Sequence, residues 1–319
     1  MEHHPIIVSQ DCGHEQTAEV IRSYGNQIKF IQQPDLSPIV IDGHVKNKLL
    51  TGYYKISRHY KWALSQVFDV FNYKAVIVVE DDLDISVDFY EYFTATRHVL
   101  EEDPTLWCVS AWNDNGKQNF IDTTRPDLLY RSDFFPGLGW MLTVSVWNEM
   151  RDRWPKAFWD DWMRESAQRK GRACIRPEIP RTDTFGRIGV SRGQFFDKHL
   201  KFIVLNSQPV SFNDKDMSYL MKDTYDRQFY SEVYHTPLVS ADQLLSGSVD
   251  RTVRVEYKNN AEFMQLAQRI GIMADLKDFV PRTAYKGVVS FMFHSHRVYL
   301  TRPEGRTEHY TDKPKIRVA

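Results

Sequence analysis

Short apolar runs alternate with amphipathic stretches through the first half of the chain. Ile6-Ile7-Val8 reads as a buried strand, with Ser9-Gln10-Asp11-Cys12-Gly13-His14 as the loop after it. Glu15 to Tyr24 sets Ala18, Ile21 and Tyr24 along one helical face, and Ile28 to Ile31 predicts a second strand. Ile56, Tyr60, Ala63 and Val67 form the stripe of a long helix over 53–71. Ala75-Val76-Ile77-Val78-Val79 is apolar throughout and rich in β-branching, so it predicts a strand covered on both faces. Further strands are predicted at 107–112 and 128–130, and a helix over 154–169 that stops towards Gly171. Buried strands alternating with helices indicate an α/β architecture.

The texture changes near Phe212. Val253-Arg254-Val255-Glu256-Tyr257 alternates cleanly, 261–270 is helical, and 288–293 with 298–300 predict a hairpin around His294-Ser295-His296. The pattern divides the chain into a main α/β domain over 1–205, a linker over 206–222, a smaller α+β lobe over 223–305 and a tail over 306–319.

With 319 residues, 42% of them hydrophobic, there is material for one large domain or two unequal ones. Lys and Arg number 41 against 42 Asp and Glu, a balance that argues against nucleic acid as a partner. Aromatic residues make up 13%; sugar-handling clefts use such rings, but an ordinary large core is the better account, because aromatic area dominates packing in any protein. No apolar stretch approaches the ~18 residues of a membrane span. The opening Met1-Glu2-His3-His4-Pro5 is not a signal peptide. Of the three cysteines, Cys12, Cys108 and Cys174, at least one is unpaired or bonds outside the chain.

Four segments carry chemistry. Glu80-Asp81-Asp82 follows an apolar strand, where open α/β sheets bind ligands. Its carboxylates suit Mg²⁺ or Mn²⁺ bridging to a diphosphate, or else form a solvated acidic turn that caps the next helix. In Phe158-Trp159-Asp160-Asp161-Trp162, a carboxylate desolvated by indole gains basicity and suits a general base; the alternative is a solvated pair neutralised by Arg164 and Arg169. Phe134-Phe135-Pro136-Gly137-Leu138-Gly139-Trp140 is a tight loop able to approach a ligand, or simply a turn. Gly189-Val190-Ser191-Arg192-Gly193-Gln194-Phe195 precedes a predicted helix and offers backbone N–H groups and a hydroxyl to phosphate, although a plain loop explains it too. Taken singly, His59 is an ordinary core histidine and Asp11 a turn residue.

Taken together, these segments resemble the inverting family 13 glycosyltransferases over roughly residues 5–300. The likeness rests on Ser9 to His14, Gly52-Tyr53-Tyr54-Lys55-Ile56, Arg58-His59-Tyr60, Val79 to Leu83, Trp107 to Asp114, Phe134 to Trp140, Trp154 to Trp162 and Gly193-Gln194-Phe195-Phe196. The resemblance implies a GT-A fold, Rossmann-like and built for nucleotide sugars, over 1–205 beside the smaller C-terminal α+β lobe. It implies inverting transfer of GlcNAc from UDP-GlcNAc, in β-1,2 linkage, to the α-1,3-linked mannose of an oligomannose N-glycan. Asp82 is then the protein ligand to Mn²⁺. Glu80 and Asp81 hold the donor, Asp11 and His59 contact its uridine, Leu138 lies by the donor sugar and Ser191 holds the diphosphate. Asp160 is the general base. Cys108 and Cys174 are expected to form a disulfide in the Golgi lumen.

Family members also carry a cytosolic tail, one membrane span, a stem and a central sheet strand ending in Cys-Asp-Arg. None of these is present in the 319 residues, so Cys12 is expected to be the odd cysteine, and the strands beside the absent one to have unpaired backbone groups and exposed core. A sister branch acts on protein O-mannose; the Phe158 to Asp161 tract favours the N-glycan branch. The alternative from another class is a catalytically dead chain that only binds or competes.

Overall fold

The computed structural model describes residues 4–41 and 48–304. The tail expected over 306–319 lies outside the described residues. The chain forms two compact units, each discontinuous in sequence: Met1–Val76 with Val144–Trp162, and Ile77–Thr143 with Met163–Ala319. Among the described residues no helix is long and apolar enough to cross a membrane.

The elements run β1 (Ile6–Gln10), α1 (Glu15–Ser23), β2 (Ile28–Gln32), α2 (Lys48–Ser65), β3 (Ala75–Val78), β4 (Leu83–Ile85), α3 (Phe89–Glu102) and β5 (Leu106–Ser110). They continue through β6 (Leu129–Ser132), β7 (Trp140–Thr143), α4 (Val144–Met150), α5 (Trp159–Arg164), α6 (Ser166–Arg169), β8 (Ala173–Pro177) and β9 (Thr182–Thr184). The last part holds α7 (Lys222–Tyr234), α8 (Ala241–Leu245), β10 (Val253–Glu256), α9 (Asn260–Ile270), β11 (Leu276–Lys277), β12 (Val280–Pro281), β13 (Val289–Phe293) and β14 (His296–Thr301).

In the first unit β1 pairs with β2 in parallel, Ile6 opposite Ile28, as expected for two strands joined by a helical crossover. α1 is capped by His14, whose ring accepts from the Thr17 N–H. α2 packs its Ser57 side on the 154–159 segment: the Ser57 hydroxyl donates to Pro155 O at 2.6 Å, and the Trp154 indole donates to Ser57 O at 3.0 Å. The helix expected to reach residue 71 ends instead in a π-helical turn, Gln66–Val70, closed by Phe71 N–H to Gln66 O at 2.9 Å.

A five-stranded sheet has the order β3-β7-β5-β8-β6, and all of it but Ala75 and Val76 of β3 belongs to the second unit. It is mixed: β5 runs parallel to β8 and antiparallel to β7, and β6 runs antiparallel to β8. β5, β7 and β8 are fully buried, with α3 laid over β5 and the Tyr92 phenol donating to Ser110 O at 2.7 Å. Position in the sheet changes one expectation. β3 is an edge strand, half-buried along its length, and Val79 beyond it is 45% exposed, because a strand at an edge has a neighbour on one side only.

Towards the C-terminus a buried cluster gathers Val253, Val255, Tyr257, Phe263, Ala267, Val289, Phe291, Val298 and Leu300. Its hairpin turns through His294 and Ser295, both at positive φ, which is the backbone a two-residue hairpin needs. α9 starts on the Asn259 cap and stops at Gly271, φ 98°. Residues 206–222 are tied down along their length: Phe212, Met217 and Leu220 are buried, Asn206 donates to Asp88, and the Lys222 N–H donates to Asp103. The continuous helix expected over 154–169 is instead two short helices. Phe158 at φ 53° delays the start to Trp159, and extended backbone at Glu165 separates α5 from α6.

The expected Cys108–Cys174 disulfide is present, with Cα atoms 4.6 Å apart on the directly paired strands β5 and β8, and Cys12 is free. It closes a loop of 66 residues, for which the chain-entropy account gives about 4 kcal/mol. The Cys108→Ala, Cys174→Ala double variant should lose about 2–4 kcal/mol, read as a lower urea midpoint with an unchanged activity per folded molecule.

Candidate functional site

The acidic turn is held from across the sequence by β9. Glu80 O accepts from the Leu83 N–H at 3.3 Å, which closes the turn and leads into β4. β4 pairs antiparallel with β9, Leu83 opposite Thr184, so the triplet runs into a strand and not into the helix that an acidic cap would need. Phe185 N–H donates to Asp82 O at 3.1 Å. Burial, with Asp81 second, raises the pKa of the Asp82 carboxyl, while its own backbone and the Thr184 hydroxyl pull it back. Gly186 leaves the space in which this carboxylate sits: a β-carbon there would come within 1.8 Å of Asp82 Oδ2.

Two residues before Thr184, on the same face of β9, the Thr182 hydroxyl donates to Leu138 O at 2.6 Å. Gly137, Leu138 and Gly139 have φ of 71°, 50° and 82°, a left-handed run that is tolerable because glycines stand on both sides. The Ser110 hydroxyl donates to Gly137 O at 2.9 Å and the Ala111 N–H to Gly139 O at 2.7 Å, so this loop is locked to the end of β5. Added at Gly139, a β-carbon would meet Thr182 Cγ2 at 2.7 Å. β9 thus brings Asp82 and Leu138 to one strand.

β9 is itself anchored by Arg181. Its guanidinium donates to Asp88 at 2.9 Å, with both side chains at 1% exposure or less, and Asp88 also accepts from Asn206 and from the Ser86 hydroxyl. Ser191 lies elsewhere in this unit, exposed among turns over 189–199; the helix predicted to follow it is absent, and only a 3-10 turn, Leu200–Phe202, comes next. Sequence reasoning missed Thr182, Thr184 and Gly186. The alternation Thr182-Asp183-Thr184 is their one trace, too short to stand out.

In the first unit, Asp11 and His59 come together: His59 Nδ1 is 3.7 Å from Asp11 Oδ1, and His59 Nε2 is 3.2 Å from the Ser9 hydroxyl. Both facing atoms are buried with no hydrogen-bond partner, so the pair is not the satisfied core histidine that the sequence allows. Burial lowers the His59 pKa, and Asp11 offsets it only in part.

Asp160 is half-buried in the first turn of α5, flanked by ring stacks on α2. Phe158 stacks on Tyr53 with centroids 4.4 Å apart, and Trp159 on Tyr60 at 4.1 Å and on Trp154 at 5.9 Å. Burial and then the carboxylates of Asp160 and Asp161 raise the Tyr53 pKa. Among the described residues no three His, Cys, Asp or Glu side chains converge as a metal cage.

Residues 1–313 match the GNT-I family, across both units. The chain belongs to that family. It is 43% identical over 304 residues to the alpha-1,3-mannosyl-glycoprotein 2-beta-N-acetylglucosaminyltransferase of Arabidopsis thaliana, an alignment covering 94% of this chain and 67% of the plant protein. Within this GNT-I family member, Asp11, His59 and Asp160 belong to one compact unit and Glu80, Asp81, Asp82, Leu138 and Ser191 to the other.

His59 gives a pH prediction. Its folded pKa lies below the ordinary 6.5, so the unfolded chain binds the proton more readily, and stability is kept above about pH 6.5 and lost as pH falls through it. His59→Gln should remove that part of the fall in urea midpoint between about pH 7 and 5.

Proposed function

We propose that this GNT-I family member is an inverting glycosyltransferase of GT-A fold that moves GlcNAc from UDP-GlcNAc onto the α-1,3-linked mannose of an N-glycan, in β-1,2 linkage. The observation that carries the reading is the 43% identity to the Arabidopsis enzyme over 94% of the chain.

The residues present fit a divalent cation at Asp82. The carboxylate is half-buried, it stands beside Asp81, and Gly186 leaves room against it. Burying negative charge there is unfavourable without a cation, and hard oxygen donors suit Mn²⁺. When bound, Mn²⁺ neutralises the charge that develops on the departing diphosphate. Glu80 and Asp81 hold the donor, and Leu138 lies along its sugar. Asp11 and His59, whose side chains come within 3.7 Å of each other, contact the uridine. The Ser191 hydroxyl donates to the diphosphate from an exposed turn.

Asp160 acts as the base. It removes the proton of the mannose 2-hydroxyl as that oxygen forms its bond to the anomeric carbon. The bond from that carbon to the diphosphate oxygen breaks on the opposite face, and UDP leaves with the electron pair. One displacement inverts the centre. The proposed compartment is the lumenal side of the Golgi membrane, where an oxidising environment sustains a disulfide such as Cys108–Cys174.

The test is Mn²⁺-dependent transfer of labelled GlcNAc to an oligomannose acceptor. Asp160→Asn should lower kcat by about 10²–10⁴-fold with little change in donor KM. Transfer indifferent to Asp160 removes the base assignment, and absence of transfer by the folded chain removes the function. Gly186→Ala pushes the Asp82 carboxylate out of its space and should raise the half-saturating Mn²⁺ concentration about tenfold, with a melting temperature close to the parent's.

A further inference from the structure

Phe158 has an unusual backbone for its place. It is the residue before the first turn of α5, and its carbonyl accepts the Trp162 N–H at 3.0 Å, so it is the N-cap. N-caps are ordinarily extended, and the favoured residues are Ser, Thr, Asp and Asn. Here the cap is a phenylalanine at φ 53°, in the left-handed region that bulky side chains avoid. Such a conformation persists only where its surroundings over-determine it, and it is found most often at functional sites.

Those surroundings are the aromatic face of α2. Tyr53 stacks on the Phe158 ring at 4.4 Å with an interplanar angle of 29°, and Tyr60 stacks on the neighbouring Trp159 at 4.1 Å and 28°. Trp159 is in turn sandwiched against Trp154, whose indole is tied to α2 through Ser57 O. Phe158 remains 37% exposed, so the burial of its ring alone is a weak reason for the strain. The strained φ decides the direction in which α5 leaves the chain, and with it where the residue two positions on, Asp160, presents its carboxylate.

We infer that the Tyr53–Phe158 stack is a positioning device that holds the N-cap of α5 in its left-handed conformation and so aims the Asp160 carboxylate. The inference rests on Asp160 being the base proposed above. Tyr53 acts through Phe158 and not on the substrate. Its raised phenol pKa, caused by burial and then by Asp160 and Asp161, is consistent with a ring packed against this turn. Misplacing a catalytic group by about 1 Å can cost on the order of 10²-fold in rate, so a loosened N-cap should appear in turnover and not in donor affinity.

The test compares four variants in the GlcNAc-transfer assay, with the full chain and saturating Mn²⁺. Tyr53→Phe keeps the ring and should retain kcat within about twofold. Tyr53→Ala removes the stack and should lower kcat about tenfold or more, with donor KM within about twofold. Phe158→Gly tolerates positive φ but has no ring to hold, and should lower kcat by a similar factor. Asp160→Asn is measured beside them. Thermal melting of each variant confirms that the assay reports on folded protein. If Tyr53→Ala and Phe158→Gly turn over like the parent while Asp160→Asn is inactive, the stack does not position the base and the inference fails alone. A loss in Tyr53→Phe equal to that in Tyr53→Ala assigns the effect to the hydroxyl and also overturns it. Parent-like activity in Asp160→Asn overturns both this inference and the assignment beneath it.

Discussion

The buried pair between Arg181 and Asp88 underlies the arrangement of the acidic turn. Two charges with almost no solvent contact are unfavourable unless their remaining hydrogen-bonding positions are met. Here Asn206 and the Ser86 hydroxyl complete Asp88, and the terminal nitrogens of Arg181 also donate to the carbonyls of Ile179 and Pro126, which leaves its Nε as the position not met. Removing either partner would strand the other charge, at a cost of about 3–5 kcal/mol. The pair stands immediately before β9, so the charge network sets the position of a three-residue strand too short to hold itself.

Everything β9 touches inherits that position. Thr182 reaches the left-handed Leu138 loop and Thr184 reaches Asp82, both from the same face of the strand. The loop is secured again from β5 through Ser110 and Ala111. The Asp82 carboxylate and the Leu138 loop, from distant parts of the sequence, are thereby related by one spacing along a strand. In the other unit, the 158–160 turn depends on ring stacking instead of charge. Each unit has its own means of holding polar groups where desolvation is unfavourable to them.

Where periodicity is strong, the sequence was readable: β1, β2, α1, α9 and the β13–β14 hairpin lie within a residue or two of their expected places. The errors share a physical origin. Ala75 to Val78 is apolar enough for a covered strand, but whether a strand is central or at an edge depends on partners that its own sequence does not name. The apolar spacing over 154–169 suits a helix, and nothing local announces that Phe158 adopts positive φ. The acidic triplet and the Asp160 tract were visible as unusual concentrations of charge beside apolar residues. Their supports, Thr184, Gly186, Tyr53 and Arg181, were not, because contacts far apart in sequence leave no periodic trace. The proximity of Asp11 and His59, and the Cys108–Cys174 bond, came from family resemblance, since either residue of each pair looks ordinary alone.

The disulfide has a consequence for the chain as a covalent object. Cys108 and Cys174 bracket both the Leu138 loop and the Phe158 to Asp160 turn. A protease that cuts at any one peptide bond between them divides the backbone but releases no fragment. The two pieces stay tethered at the middle of the buried sheet, on strands that are already paired. A single cut anywhere in that span therefore leaves the molecule one covalent object, and reduction of the disulfide is what would let the two pieces part.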